Sequence, residues 1–366
     1  MKLTIAQKEL ARALGLVARG TSNRPTIPIL SGILIKATGN EIELFSTDLE
    51  TSIKTGAAGL VEQEGSVVVP AKMFGDIIRS LPEVSVLLET AGQSLAIKAG
   101  QSSFAVRTLP AEDFIKFPEI EGIESVTLPA SELASMTRMV SRVVGKDETR
   151  AVLTGILLQI GGGTIKMVAT DSYRLAIVEK PTDQEGAKIE FTALIPGRAL
   201  DDVVKMADKD GAVEITLTSN QVRFVFGTTT FVTRRIEGNY PNYQNLLPES
   251  HNLTVALATE EVLEAVKRVS LMATNNTAVK IAVSVEDQAL TLTAQSVDVG
   301  QGEEVIMAKA TGEDREISAN PTYLQDGLMV ISDEFITLEV QEAMKPGIIR
   351  AEEDGYLYLF MPVRPS

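Results

Sequence analysis

The chain has 366 residues, a length that suits two or three domains, each with a core of its own. It contains no cysteine, which excludes disulfides, thiolate metal sites and cysteine nucleophiles, and one histidine, His251, which excludes a multi-histidine zinc site. The formal net charge of −15 argues against a nucleic-acid partner as long as only the total is considered.

The sequence also lacks the apolar segments of membrane and secreted proteins. No run of about 18 apolar residues is present, and the first residues, "MKLTIAQKEL", contain no apolar core of a signal peptide. We therefore expect a soluble, cytoplasmic protein.

In chain order, the first predicted element is an amphipathic helix in "AQKELARALGLVARG". A hairpin follows in residues 30–48, "LSGILIKATGNEIELFSTD", where two apolar strands flank a turn that contains Asn and Gly. A short strand and a second helix come next in "VVVPAKMFGDIIRSL". Beyond them, "GQSSFAVRTLPAEDF" adds a strand that contains Phe104.

These elements recur twice along the chain. Residues 153–171, "LTGILLQIGGGTIKMVATD", align without a gap with residues 30–48, 123 positions earlier. A weaker third copy, "VKIAVSVEDQALTLTAQSVD", lies 125 positions beyond the second, and helices open these copies in "ASELASMTRMVSRVV" and "ATEEVLEAVKRVSLM". The recurring order predicts three copies of one α+β domain, at residues 1–122, 123–250 and 251–366.

Motifs of catalytic or cofactor sites are missing from the sequence. There is no phosphate-binding G-x-x-x-x-G-K-[ST], no G-x-G-x-x-G, no H-E-x-x-H and no G-x-S-x-G. Asp48 and Asp171 recur at the ends of equivalent strands, where a carboxylate can accept the backbone N–H groups of a turn. We therefore expect a protein without catalytic activity or cofactor, and the alternative is a hydrolase that uses Asp171 and Arg174.

Positive charge is concentrated on the predicted helices. The helix that opens the second copy carries a cation at every fourth position, which gives a basic stripe opposite its apolar face: Arg138, Arg142, Lys146 and Arg150. The inner helices add Lys72, Arg79 and Arg198. Such a surface would bind the phosphates of duplex DNA without sequence preference. An ordinary solvated helix surface is the alternative.

Eight segments, in this order and spacing, resemble the bacterial DNA sliding clamp, the beta subunit of DNA polymerase III. They are "RPTIPILSGILI" (24–35), "STDLE" (46–50), "VPAKMFGDIIRSLP" (69–82), "TLPAEDFIKFP" (108–118), "RAVLTGILLQ" (150–159), "ATDSYRLAI" (169–177), "YPNYQNLLP" (240–248) and "MPVR" (361–364). The resemblance covers the whole chain. It implies a head-to-tail ring of two protomers, whose six clamp domains surround duplex DNA with helices inside and antiparallel sheets outside.

This resemblance also implies a function. A sliding clamp is a non-catalytic processivity factor, opened by an ATP-driven loader, that slides on DNA and tethers polymerases through a peptide pocket between its second and third domains. The implied partners are duplex DNA, a second copy of the chain, the polymerase III alpha subunit, the clamp loader, and other polymerases and repair proteins with short clamp-binding peptides. The alternative is a three-domain protein-binding scaffold that does not encircle DNA.

The resemblance implies three sets of functional residues. Arg24 matches the DNA-contacting arginine of the family, and the weaker electrostatic candidates are Lys72, Arg79, Arg138, Arg142, Lys146, Arg150 and Arg198. Ring closure is expected to use Phe104, Val106, Leu271 and Met272. The peptide pocket is expected to contain Leu153, Thr170, Ser172, Tyr173, Arg174, Leu175, Pro241, Asn245, Leu246, Leu359, Phe360, Met361, Pro362, Val363 and Arg364.

Two pocket positions depart from the family pattern. Ser172 stands where members commonly have Gly, so a turn with a positive φ would be strained at this residue. Asn245 replaces a basic residue that is common in some members, so we expect a changed partner preference.

Overall fold

The predicted α+β repeat is confirmed in the computed structural model, which describes residues 1–22, 27–118, 120, 124–182, 191–273 and 277–364. The first repeat contains β1 (Lys2–Ala6), α1 (Gln7–Val17), β2 (Gly32–Thr38), β3 (Glu41–Thr47), β4 (Thr51–Ala57), β5 (Gly59–Gln63), β6 (Gly65–Pro70), α2 (Ala71–Ser80), β7 (Ser85–Ala91), β8 (Ser94–Ala99) and β9 (Ser102–Arg107). The second contains β10 (Glu124–Pro129), α3 (Ala130–Ser141), β11 (Gly155–Gly161), β12 (Thr164–Thr170), β13 (Arg174–Pro181), β14 (Phe191–Pro196), α4 (Gly197–Met206), β15 (Ala212–Leu217), β16 (Gln221–Phe226) and β17 (Thr229–Arg234). The third contains β18 (Leu253–Ala258), α5 (Thr259–Ser270), β19 (Val279–Ser284), β20 (Ala289–Ser296), β21 (Gly300–Met307), β22 (Lys309–Gly312), β23 (Arg315–Ala319), α6 (Pro321–Leu328), β24 (Phe335–Val340), β25 (Gly347–Ala351) and β26 (Tyr356–Phe360).

The helices bury one apolar face each, as their sequence periodicity predicts. In α1 this face contains Leu10, Leu14 and Val17, which are three or four residues apart and therefore lie on one side of a helix with 3.6 residues per turn. The side chain of Gln7 is also buried, and its Nε2 donates a hydrogen bond of 2.8 Å to the carbonyl of Ile78 in α2. Because a buried amide without a partner would be costly, this bond fixes α1 against α2.

The repeated hairpins are present at the predicted positions. β2 pairs with β3 around Gly39, and β11 pairs with β12 around Gly162 and Gly163. These glycines have φ values of 59°, 60° and 78°, a conformation that residues with a Cβ adopt only at a cost. Gly162 and Gly163 therefore form the turn of the hairpin that the alignment of residues 153–171 with residues 30–48 predicts.

Antiparallel pairing arranges the strands of the described residues in four sheets. Their strand orders are β5-β1-β7-β8-β9, β10-β15-β16-β17-β4-β3-β2-β6, β14-β11-β12-β13-β26-β25-β24-β18-β22 and β21-β20-β19-β23. The two larger sheets each join strands of two consecutive repeats, because β17 pairs with β4 and β13 pairs with β26. Among the described residues, β9 and β21 are outer edges of the two smaller sheets.

The chain forms two compact units. The first consists of Met1–Ala134 and Arg198–Arg235 and contains the five- and eight-stranded sheets. The second consists of Ser135–Gly197 and Ile236–Ser366 and contains the nine- and four-stranded sheets. In this second unit the ring of Tyr358 packs on Gly327 of α6, where a Cβ would lie 2.5 Å from the tyrosine Cε1. Any other residue at this glycine would displace α6 from the sheet.

No helix in the described part of the chain is long and apolar enough to cross a membrane.

Candidate functional site

The recurring aspartates form two equivalent turns. Asp171 Oδ1 accepts hydrogen bonds from the backbone N–H groups of Tyr173 and Arg174, at 2.9 and 3.1 Å. Asp48 Oδ1 accepts the equivalent bonds from Glu50 and Thr51, at 3.0 and 2.7 Å. Because each carboxylate satisfies backbone donors of its own turn, the predicted structural role of both aspartates is confirmed.

The turn after β12 contains a non-glycine residue with a positive φ. Ser172 has a φ of 80°, and its equivalent in the first repeat, Leu49, has a φ of 81°. The backbone N–H of Ser172 donates to Thr170 Oγ1 at 3.2 Å, and the same hydroxyl donates to the carbonyl of Arg174 at 2.7 Å. The hydrogen bonds around the turn therefore maintain a conformation that glycine would adopt without strain.

Arg174 follows this turn, and its guanidinium is buried in a network of polar groups. Its Nε donates to Asp171 Oδ2 at 3.0 Å, its Nη1 to Asp326 Oδ2 at 2.7 Å and its Nη2 to the carbonyl of Arg142 at 2.8 Å. The guanidinium carbon lies 4.4 Å from the centre of the Tyr323 ring, within the range of a cation–π contact. Arg174 is only 8% exposed, so these partners replace its hydration.

The groups around Arg174 stabilise its positive charge. Burial alone would lower the pKa of this guanidinium, but Tyr358, Asp326 and Asp171 outweigh that effect and raise the pKa above its ordinary value. Burial also raises the pKa of the Tyr358 hydroxyl, which therefore remains protonated near neutral pH. The two carboxylates consequently carry the negative charge that balances Arg174.

On the other face of the nine-stranded sheet, apolar side chains form a floor. Leu175 of β13 lies directly opposite Leu359 of β26, and both are buried. They belong to one cluster with Val168 and with Tyr243 of the 3-10 helix Tyr243–Leu246. The structure thus brings together residues of the second and third repeats that the sequence analysis assigned to one pocket.

The rim of this floor exposes three large apolar side chains. Tyr173 is 58% exposed, Leu246 is 47% exposed and Met361 is 39% exposed. The backbone N–H of Met361 donates to the carbonyl of Tyr173 at 2.9 Å, which fixes the C-terminal segment beside the turn. Of the other residues predicted for the pocket, Pro241, Asn245 and Arg364 are exposed. Pro362 and Val363 are half-buried. Leu153 and Thr170 are buried.

Phe360 does not lie on this floor. It is fully buried, and it neighbours Leu359 along β26, so the two side chains point to opposite faces of the sheet. Its face is the one that carries Tyr358 and the guanidinium of Arg174, because Phe360 is directly opposite Arg174. The assignment of Phe360 to the pocket surface is therefore corrected: this residue supports the sheet from behind.

A neighbouring cavity was missed by the sequence analysis. It has a volume of about 400 Å³, and its lining includes Ile177, Leu357, Tyr243 and Leu247 but none of the predicted pocket residues. Ile177 and Leu357 come two positions after Leu175 and two positions before Leu359, on the same face of the sheet. The period-two alternation along β13 and β26 is the sequence signal that could have found this extension of the floor.

The predicted helical stripe of four cations is wrong. Helix α3 ends at Ser141, so only Arg138 of the four lies on it. Beyond it, the N–H of Gly145 donates to the carbonyl of Leu153 at 2.8 Å, and a Cβ at Gly145 would lie 3.1 Å from that oxygen. This close approach turns the chain away from the helix axis, and Arg150 lies in the 3-10 helix Glu148–Thr154 with non-helical angles.

All of the described basic candidates are nevertheless at the surface, and four of them are close to carboxylates: Arg79 to Asp76 at 2.5 Å, Arg142 to Asp326 at 3.4 Å, Arg150 to Asp147 at 3.0 Å and Arg198 to Asp202 at 4.0 Å. Lys72, Arg138 and Lys146 are exposed. Arg24 lies outside the described residues. Neighbouring carboxylates reduce the positive potential of these cations without removing their access to solvent.

The residues predicted for ring closure lie on one edge strand, β9, and directly after one helix, α5. Phe104 on β9 is 41% exposed, and Leu271, directly after α5, is 71% exposed. Met272 is half-buried. Val106 is 7% exposed and lies opposite Leu95 of β8, as Phe104 lies opposite Ile97, and its part in ring closure stays a prediction.

Comparison with known proteins identifies the family. Three protein-family models match in succession: the N-terminal domain of the DNA polymerase III beta subunit over residues 1–118, its central domain over 127–242 and its C-terminal domain over 244–364. The chain belongs to the DNA polymerase III beta subunit family. The resemblance inferred from the sequence is thereby confirmed.

Individual clamps are similar to the chain over its full length. The beta sliding clamp of Streptomyces coelicolor is 33% identical over 378 residues, and that of Bacillus subtilis is 31% identical over 378 residues, with 100% of both chains covered in each case. The crystal structure of the Bacillus subtilis clamp has a TM-score of 0.96 at 30% identity and full coverage of both chains. The Pseudomonas aeruginosa clamp bound to griselimycin has a TM-score of 0.93 at 29% identity, covering 100% of this chain and 99% of that one.

Membership in the sliding clamp family defines the general role of the chain. It is a non-catalytic processivity factor of DNA polymerase III. This role agrees with the turn geometry, since the most conspicuous pair of carboxylates, Asp48 and Asp171, is used to bind backbone N–H groups. The hydrolase alternative based on Asp171 and Arg174 is therefore abandoned.

The strained turn gives a first prediction. Replacing Ser172 by Gly removes the cost of a positive φ at a residue with a Cβ, of the order of 1 kcal/mol, although it also removes the hydroxyl that accepts a bond of 3.1 Å from Arg150. Ser172→Ala removes the same hydroxyl without relieving the backbone. We expect Ser172→Gly to melt at a higher temperature than Ser172→Ala in differential scanning calorimetry. Equal melting temperatures of the two variants would contradict a strained turn.

Proposed function

We propose that two copies of the chain close head to tail into a ring around duplex DNA, and that the ring tethers DNA polymerases through the floor and rim built on Leu175, Leu359 and Met361. The observation that carries this proposal is the pair of unlike, unpaired strand edges at β9 and β21 among the described residues. A strand edge offers unpaired backbone donors and acceptors to another strand, so two complementary edges are a basis for self-association.

The junctions inside the chain supply the pattern for the junction between copies. The last strand of the second repeat, β17, pairs with β4 of the first, and the last strand of the third repeat, β26, pairs with β13 of the second. By the order of elements, β4, β13 and β21 are equivalent, and so are β17, β26 and β9. Of these two sets, β21 and β9 are the strands without such a partner in the described chain. In a head-to-tail dimer, β9 of one copy would pair with β21 of the other.

The equivalence also gives the register of this junction. Phe231 lies opposite Ile53 in the first internal junction, and Tyr358 lies opposite Ala176 in the second. The hairpin pairings make Phe104 the equivalent of Phe231 and Tyr358, and Gly302 the equivalent of Ile53 and Ala176. Phe104 of one copy would therefore lie opposite Gly302 of the other.

The surroundings of Gly302 support this register. A Cβ at Gly302 would lie 3.1 Å from Met272 Cγ, so the absence of a side chain leaves the methionine accessible beside the strand. An exposed aromatic ring opposite Gly302 would cover Met272 and bury apolar area. These contacts support the roles proposed for Phe104 and Met272 in ring closure, and the exposed Leu271 next to Met272 is proposed to join them.

The charge distribution supports a surface that contacts DNA weakly. The candidates for phosphate contacts are Arg24, Lys72, Arg79, Arg138, Arg142, Lys146, Arg150 and Arg198, on a chain with a net charge of −15. Several of these cations share their charge with a nearby carboxylate, such as Asp202 beside Arg198. A ring is retained by topology, so weak contacts without sequence preference are sufficient and allow sliding.

The exposed apolar rim supports binding of short partner peptides. Leu175 and Leu359 form a buried floor, and Tyr173, Leu246 and Met361 border it with exposed apolar surface. Such a groove suits a peptide with a few apolar anchors. The expected partners are the polymerase III alpha subunit, the clamp loader, and other polymerases and repair proteins. We place the three domains at residues 1–122, 123–250 and 251–366 and the working protein in the cytoplasm.

The register gives a cross-linking prediction. The chain has no cysteine, so a protein with Ser103→Cys and Glu303→Cys has only the introduced thiols. In the proposed register these residues are opposite each other, at a distance that a disulfide can span. We expect mild oxidation to give a covalent dimer on a denaturing gel, and reductant to reverse it.

A pair shifted by two residues is the matched control for that experiment. Ser103→Cys with Val305→Cys would place the thiols too far apart, since two residues along a strand span about 7 Å. Cross-linking of the shifted pair alone would refute the register. A strict monomer by light scattering at working concentration would refute the ring and favour the scaffold alternative.

The peptide groove gives a further prediction. Met361→Ala removes an exposed apolar side chain at the rim, and we expect a loss of at least ten-fold in affinity for a fluorescent clamp-binding peptide of the cognate polymerase III alpha subunit, measured by anisotropy. Met73→Ala is the control, because Met73 is an exposed methionine of α2 in the other unit. Equal affinities of both variants would show that partners bind elsewhere.

A further inference from the structure

One carboxylate contacts both the buried Arg174, behind the groove floor, and Arg142 of the predicted phosphate-binding surface. Asp326 of α6 accepts a hydrogen bond from Arg174 Nη1 on Oδ2 at 2.7 Å and from Arg142 Nη1 on Oδ1 at 3.4 Å. The side chain of Arg174 is 9% exposed, whereas that of Arg142 is 50% exposed. Asp326 is therefore shared between a buried cation and a surface cation.

The buried half of this arrangement controls the groove rim. Arg174 binds Asp171 Oδ2 at 3.0 Å, and Asp171 Oδ1 in turn fixes the N–H of Tyr173 at 2.9 Å. The carbonyl of Tyr173 then accepts the N–H of Met361 at 2.9 Å. The positions of the two exposed rim residues, Tyr173 and Met361, consequently depend on how firmly Asp326 holds Arg174.

The surface half is available to a ligand. The Arg142 guanidinium is half exposed and makes a longer bond to Asp326 than Arg174 does, so a phosphate could take it over at little cost. The carbonyl of Arg142, which accepts Arg174 Nη2 at 2.8 Å, would remain in place because it belongs to the backbone. Loss of the Arg142 side chain from Asp326 leaves the carboxylate to Arg174 alone.

We propose that Asp326 is a positioning residue for the groove and that it couples the groove to phosphates bound at Arg142. This inference rests on the proposed function, in which DNA and a partner peptide bind the same chain. A phosphate on Arg142 strengthens the Asp326–Arg174 pair, orders the rim and favours peptide binding. Because coupling between two binding sites is reciprocal, a bound peptide favours the phosphate at Arg142 by the same factor.

The test measures peptide affinity in the absence of DNA, using the full-length chain and the fluorescent alpha-subunit peptide. Arg142→Ala removes the guanidinium from Asp326, as a phosphate bound to Arg142 would. We expect the dissociation constant of the peptide to fall two- to five-fold. Arg142→Lys keeps a cation near Asp326 and should restore the wild-type value. Arg234→Ala is the matched control, since Arg234 is an exposed arginine that lies 3.8 Å from a carboxylate, Glu50, in the other unit.

A double-mutant cycle separates positioning from a general structural role. Asp326→Asn should weaken peptide binding at least ten-fold, and in that background Arg142→Ala should have no further effect. A purely structural Asp326 would leave the effect of Arg142→Ala unchanged. If Asp326→Asn does not fold, the peptide affinities of Arg142→Ala and Arg234→Ala still test the coupling between Arg142 and the groove.

The outcomes distinguish this inference from the proposed function. If Arg142→Ala binds the peptide like Arg234→Ala, or more weakly than the wild type, the coupling is refuted while the groove stands. If the wild-type chain does not bind the peptide, or if Met361→Ala binds it as well as the wild type, the proposed groove is refuted and the coupling with it.

Discussion

Antiparallel backbone pairing between strands of consecutive repeats is the interaction on which the rest of this structure depends. β17 joins β4 and β26 joins β13, so each repeat completes a sheet begun by its neighbour. The same pairing creates the candidate groove, because it places Leu175 opposite Leu359 and continues into the bond between Tyr173 and Met361. It also leaves β9 and β21 as edges in the described chain, which is the basis for proposing a second copy.

Several of the basic side chains proposed to contact DNA are paired with carboxylates of the same chain. The net charge is −15, and several candidate phosphate ligands are close to a carboxylate, as in the pairs Arg79–Asp76 and Arg150–Asp147. Exposed pairs of this kind contribute little to stability, and their main effect is to weaken contacts with phosphate. Weak contacts suit a protein that must move along DNA while remaining linked to it. Asp326 differs from these carboxylates because it also serves the buried Arg174.

Local patterns predicted most of the fold, whereas long-range contacts determined what could not be predicted. The hairpins and the Asp48 and Asp171 turns follow from residues within a few positions of each other, and both are found as expected. After α3 ends at Ser141, Gly145 contacts Leu153, a change of direction that a four-residue charge periodicity does not reveal. The bond between Arg174 and Asp326 joins residues 152 positions apart, so no local signal announces it. The orientation of Phe360 away from the groove could have been predicted from period-two alternation, but resemblance alone assigned the whole tail to one surface.

The central claim is that the chain encircles DNA, and retention on DNA of defined topology tests it most directly. The labelled protein would be loaded with the clamp loader and ATP onto a nicked circular duplex and separated from free protein by gel filtration. A restriction enzyme would then linearise half of the sample. The ring account predicts that the protein stays on the circle at high salt and is lost from the linear DNA, because only the free ends let it slide off. Equal retention on both forms, or release from the circle by salt alone, would contradict it.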